Sequence, residues 1–128
     1  MITYLSKEAF IAINQRAVQI SNDPHGVLSA GNLSHLVDAV QFKYTNQENE
    51  TLLKAAFILD YIANKGHIFI EGNKRTAETA TLTFLKMNGL IFEEKNQDEL
   101  ADFVLSVARN EKSLTVIVNW LKERIKSE

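Results

Sequence analysis

The sequence predicts an all-α single domain of about six helices, and three observations predict it. Proline occurs once, at Pro24, so long stretches run free of helix breakers. Apolar residues recur at three- and four-residue spacing along most of the chain. Glycines fall between these periodic segments rather than inside them. At 128 residues there is enough chain for one hydrophobic core and too little for two, so one domain is expected over residues 1–128.

The first helix is expected after Ser6, a good N-cap, with Phe10, Ile13, Ala17 and Ile20 on its inward face. Ser21 to Gly31 carries Asn22, Asp23, Pro24, Gly26 and Gly31 and reads as a loop. Leu33, Leu36, Val37 and Val40 predict a short second helix, and Thr45 to Glu50 a polar turn or flap. Thr51 to Asn64 is apolar on most sides, as a core helix is, and Gly66 stands where a C′ glycine would stop it. After an irregular stretch from His67 to Gly72, a second long helix is expected from Asn73 to Asn88, stopped by Gly89. Leu90 to Phe92 reads as a short extended piece. Two amphipathic helices follow, one from Asp98 to Ala108. The other is capped by Ser113 and carries Leu114, Ile117, Val118, Leu121 and Ile125 at helical spacing. The charged C-terminus is expected to fray.

Charge and composition narrow the function. Fourteen basic against 16 acidic residues leave a net charge of −2, which argues against non-specific nucleic-acid binding as the main activity and leaves a local basic patch open; no direct nucleic-acid partner is expected. The absence of cysteine removes disulfide and thiolate chemistry. Met1 to Ser6 lacks the basic run and apolar core of a signal peptide, and no apolar stretch approaches the roughly 20 residues a membrane span needs. A cytoplasmic protein without membrane partners is the expectation.

Chemistry concentrates in His67-Ile68-Phe69-Ile70-Glu71-Gly72-Asn73-Lys74-Arg75-Thr76, between the two most apolar helices. Gly72 and the start of the following helix leave backbone N–H groups unpaired, which together with the helix dipole suit a phosphate. Lys74 and Arg75 lie in that helix's first turn, where a cation is unfavourable unless an anion is near. Arg75 can grip a phosphate with two parallel hydrogen bonds, and Lys74 acts as a point charge. Asn73 can orient a phosphate oxygen through its amide. Glu71 offers a hard oxygen to Mg²⁺, which takes one or two carboxylates plus phosphate oxygens. His67 can accept the proton of an attacking hydroxyl. Phe69 alternates with His67 and Glu71, so an extended loop would bury Phe69 and turn the other two outward.

Other residues read more plainly. Glu78, three and four positions past Arg75 and Lys74, suits a helical ion pair. Thr76 reads as structural, His25 and His35 as surface residues, and Phe57, Phe84, Phe92, Phe103 and Trp120 as core packing. Lys43 and Tyr44 border the polar turn, a candidate flap for docking a target.

The decapeptide resembles the Fic/Doc signature, histidine-x-phenylalanine-x-acid-glycine-asparagine-x-arginine. The resemblance implies a compact helical bundle in which His67 is the base, Glu71 holds Mg²⁺, and Gly72, Asn73, Lys74 and Arg75 cradle the phosphates of ATP. Ile68 stands where the Fic pattern has proline, Lys74 where it has glycine, and Glu78 where it has a second arginine. These variants resemble the Doc (death-on-curing) branch, whose members transfer the γ-phosphate of ATP to a protein hydroxyl. The target type implied is a threonine of translation elongation factor Tu, and the outcome is arrest of protein synthesis. Glu71 and Gly72 follow the general Fic form, which keeps AMP transfer open as an alternative. A catalytically inactive, antitoxin-binding regulator is a third reading. The inhibitory helix of many Fic enzymes is not visible: Glu48-Asn49 has Tyr44, not serine or threonine, four residues before the glutamate. The resemblance implies instead a separate Phd-like antitoxin with a disordered tail that folds on binding.

Overall fold

The structure is a computed structural model that describes residues 1–22 and 24–128; Asp23, part of the expected loop, lies outside the described residues. It is mostly helical, as expected. The elements are α1 (Lys7–Ser21), α2 (Ala30–Phe42), α3 (Glu50–Asp60), α4 (Asn73–Met87), α5 (Glu99–Ala108) and α6 (Leu114–Lys122), with two short strands, β1 (Leu90–Phe92) and β2 (Ile125–Ser127). Three helices begin on a serine whose hydroxyl accepts a first-turn N–H: Ser6 from Ala9, Ser29 from Asn32 and Ser113 from Val116.

The centre is α3, which packs against α2, α4, α5 and α6. Leu52, Ala55, Ala56, Ile58 and Leu59 are all buried, because this helix has neighbours on nearly every side. Lys54 is also fully buried; its ammonium donates to the carbonyls of Val40 and Gln41 and thereby caps the C-terminus of α2. From α4, Ala77, Ala80, Phe84 and Leu85 enter the same core. Trp120 stacks on Phe103 with ring centroids 3.9 Å apart and on Phe92 at 5.6 Å, at the edge of the core, while Phe57 is partly buried.

Three expectations change. Gly66 is not left-handed: its φ is −83°, and the end of α3 instead widens into a π turn over Tyr61–Lys65. The glycine answers a steric demand, since a Cβ there would lie 2.7 Å from the Tyr61 ring. Ile20 was expected inward but is 83% exposed, because the apolar stripe of α1 runs past the core that covers it. Ile125 and the C-terminus neither extend α6 nor fray. They pair antiparallel with β1, Ile125 opposite Phe92 and Ser127 opposite Leu90. A β-branched residue beside partly buried Leu90 and Phe92 gains more from pairing than from one further helical turn. Arg124 secures the junction by donating to the Glu99 carboxylate at 2.7 Å, and this bond holds the Glu99 carboxyl below the usual range.

Candidate active site

The loop between α3 and α4 is fixed from three directions. From the front, residues 26–29 run antiparallel to it. Val27 bridges Phe69, Leu28 and Ser29 donate their N–H groups to the Ile68 carbonyl at 2.7 and 3.1 Å, and Ile70 donates to the Gly26 carbonyl at 3.0 Å. From α2, the Asn32 amide donates to the Gly66 carbonyl at 2.7 Å. From α1, the buried Asn14 amide donates to the Glu71 carbonyl at 2.8 Å and to the Thr76 hydroxyl at 3.1 Å. Within the loop, the Asn73 carboxamide accepts from the Phe69 N–H at 3.1 Å and donates to the Phe69 carbonyl at 2.9 Å. Phe69 itself is 1% exposed and anchors the loop in the core.

These bonds sort the loop's polar groups. The carbonyls of Gly66, Ile68, Phe69, Glu71 and Gly72 are all engaged. Gly72 is the N-cap of α4 with φ +79° and no side chain to cap the helix. Among the described residues, the N–H groups of Asn73, Lys74 and Arg75 make no hydrogen bond. The loop's acceptors are engaged and the first-turn donors of α4 are not, which is the polarity an anion requires.

His67, Glu71, Lys74 and Arg75 are exposed around that helix mouth. Among the described residues, the side chains of His67, Glu71 and Lys74 have no hydrogen-bond or ion-pair partner. His67 is held at φ 43°, in the left-handed region, so the sharp reversal after α3 falls on this residue and not on Gly66. The expected alternation is observed: Phe69 inward, His67 and Glu71 outward. Among the described residues no group of three or more His, Asp or Glu converges on a metal site.

Arg75 reaches across to α1. Its guanidinium donates to the Ala17 carbonyl at 3.1 Å, at the C-terminal end of α1 where a cation suits the dipole. It also lines a cleft of about 620 Å³ between α1 and α4, with Ile13, Arg16, Ala17, Ile20, Glu78, Thr79 and Thr83. The expected ion pair of Glu78 with Lys74 or Arg75 does not form among the described residues. Burial, and secondarily Glu94, raises the Glu78 carboxyl above its ordinary value. Thr76 is fully buried and structural, as read from the sequence.

His25 and His35 are exposed, and His35 lies against the Tyr61 ring at 5.4 Å. Residues 43–49 form the expected turn, with Tyr44, Asn46 and Asn49 left-handed. Tyr44 meets Phe57 edge-on, and Lys43 lies 5.3 Å from the Phe57 ring centre. Sequence reasoning missed Asn14, Asn32 and the pairing of residues 26–29 with the loop. One signal was available for Asn14. It sits four residues from Phe10 and four from Val18, a polar side chain in the middle of an apolar stripe.

A small helical scaffold with unpaired N–H groups at one helix mouth, and an exposed imidazole and carboxylate in the loop before it, points to a class. The chain belongs to the Fic/Doc family, whose profile (Fic/DOC family) matches residues 4–85, from before α1 almost to the end of α4. Among curated proteins it is similar to the protein kinase doc of Escherichia phage P1, with 28% identity over 120 residues, 93% of each chain. No described helix is long and apolar enough to cross a membrane.

Proposed function

We propose that this protein is a Doc-type toxin, a kinase that moves the γ-phosphate of ATP, with Mg²⁺, onto a serine or threonine hydroxyl of a target protein. The observation that carries the reading is the sorted polarity of the loop: five of its carbonyls are engaged, while among the described residues the three first-turn N–H groups of α4 are unpaired. Similarity to a protein kinase of the family supports it. The outward Glu71 carboxylate and the unpaired amides fit the donor set that a Mg²⁺-bound triphosphate needs.

Bound there, Mg·ATP supplies the phosphoryl group and part of the charge neutralisation. The chain's own residues supply the rest. The N–H groups of Asn73, Lys74 and Arg75 hold phosphate oxygens at the α4 dipole, and the Lys74 ammonium adds a point charge. Arg75 keeps donors beyond the one given to Ala17 and offers them from the side. Glu71 is the metal ligand. His67 takes the proton of the target hydroxyl as that oxygen bonds to phosphorus and ADP leaves. Asn73 and Gly72 shape the cradle, Gly72 by its left-handed backbone and Asn73 through its N–H and its grip on Phe69.

Elongation factor Tu is the proposed target, with arrest of protein synthesis the consequence. A Phd-like antitoxin, folding its tail on binding, is the proposed partner. The cleft between α1 and α4 suits an amphipathic, acidic helix: Ile13 and Ile20 are its apolar lining, and Arg16 and Arg75 have no carboxylate partner among the described residues. The working compartment proposed is the cytoplasm.

Incubating the protein and its target with ATP labelled at the α or the γ position, in separate reactions, tests the chemistry. Label is expected on the target from the γ position alone. Transfer from the α position alone would replace this reading with the Fic-type AMP transferase. Growth arrest that survives His67→Ala would favour the inactive, antitoxin-binding regulator.

A further inference from the structure

We infer that Asn14, on α1 and outside the signature, is a positioning residue for the anion loop, setting the direction of the Glu71 carboxylate. The inference rests on the phosphoryl-transfer reading above and assigns that site a residue which the signature does not contain.

Asn14 is 1% exposed and lies on the apolar stripe of α1. A carboxamide there is unfavourable unless its hydrogens find acceptors. Both do, and from one nitrogen: the Glu71 carbonyl at 2.8 Å and the Thr76 hydroxyl at 3.1 Å. These acceptors bracket the mouth of α4, one just before the Gly72 N-cap and one a turn inside the helix. The same nitrogen stands 3.3 Å from where a Cβ on Gly72 would lie, with Val18 at 2.9 Å, so α1 also closes the space behind the N-cap. Residues 71, 72 and 76 are thus registered against one side of α1. With its carbonyl held inward, Glu71 directs its carboxylate out of the loop.

A tie that merely glued two helices would matter for stability and not for ligand. Two replacements separate these roles. Asn14→Leu removes the donor at similar size and frees both acceptors. Thr76→Val removes only the second tie and leaves the Glu71 carbonyl bonded. The measurement is calorimetric affinity for the β,γ-imido analogue of ATP, with Mg²⁺ and with EDTA, beside the thermal midpoint of each variant.

Both variants are expected to melt lower than wild type. Only Asn14→Leu is expected to weaken binding of the Mg²⁺ complex, by roughly ten- to a hundredfold as for other residues that orient a metal ligand. Its affinity for the metal-free analogue should fall less. Thr76→Val should bind as wild type does. Should Asn14→Leu not fold, Asn14→Ser, which loses the reach to Glu71, is held to the same criterion. Wild-type affinity in a folded Asn14 variant, or equal weakening by Thr76→Val, overturns the inference. Failure of the wild type to bind the Mg²⁺ complex overturns the phosphoryl-transfer reading itself, and the inference with it.

Discussion

The Asn73 carboxamide closes on both backbone groups of Phe69, accepting from its N–H at 3.1 Å and donating to its carbonyl at 2.9 Å. One side chain from the first turn of α4 therefore completes the backbone pairing of the residue that anchors the loop in the core. Asn73→Ala leaves both Phe69 groups without partners and is expected to destabilise the protein by about 1–3 kcal/mol. Asn73→Asp keeps the acceptor and loses the donor, and should fall between. Urea unfolding of the three proteins checks the order, and an unchanged midpoint for Asn73→Ala would refute it.

His67 is exposed and sits at φ 43°, a backbone that asparagine tolerates better than alanine. His67→Asn is therefore the cleaner removal of the proposed base. Phosphoryl transfer is expected to slow by on the order of 10²- to 10⁴-fold, with the unfolding midpoint close to wild type. A slow but temperature-labile variant would mean that the histidine is structural.

Gly72→Ala meets two obstacles: a left-handed backbone at φ +79° and a Cβ only 2.9 Å from Val18 Cγ1. Overpacking of this kind costs about 1–3 kcal/mol, and a left-handed alanine about 1–2 kcal/mol. Val18→Ala removes the clash and leaves the backbone strain. A double-mutant cycle should show the two changes to be less than additive by about 1 kcal/mol. Strict additivity would show that the clash relaxes elsewhere.

The Glu78 carboxyl, raised by burial and by Glu94, gives a pH test with a definite sign. A carboxyl whose folded pKa is raised contributes stability that is full below its unfolded pKa and is lost as pH rises through the folded value. Glu78→Gln should therefore melt higher than wild type at neutral pH, and the difference should vanish in acid. A difference that is flat with pH would place its cause outside this titration.

The helices were legible because their apolar spacing and serine caps are local properties: Ser6 and Ser113 cap as read, and Phe69 is buried between two outward polar residues. The site's residue types were legible for the same reason, lying within ten consecutive positions. What could not be read was long-range. Asn14 reaches a residue 57 positions away, Asn32 one 34 away, and Ile125 pairs with Phe92 across two helices. Gly66 shows a subtler limit. Its place before the loop reads as a helix stop, and the Tyr61 ring makes it a requirement of space as well.

The proposed phosphoryl transfer needs the helix mouth of α4 to hold a triphosphate while His67 strips a target hydroxyl of its proton. Mass spectrometry of a cell lysate treated with Mg·ATP and either the wild-type protein or His67→Asn tests it most directly. One protein is expected to gain the mass of a single phosphoryl group on serine or threonine with the wild type, and none with the variant. An added AMP group, or the same phosphorylation by both proteins, would contradict it.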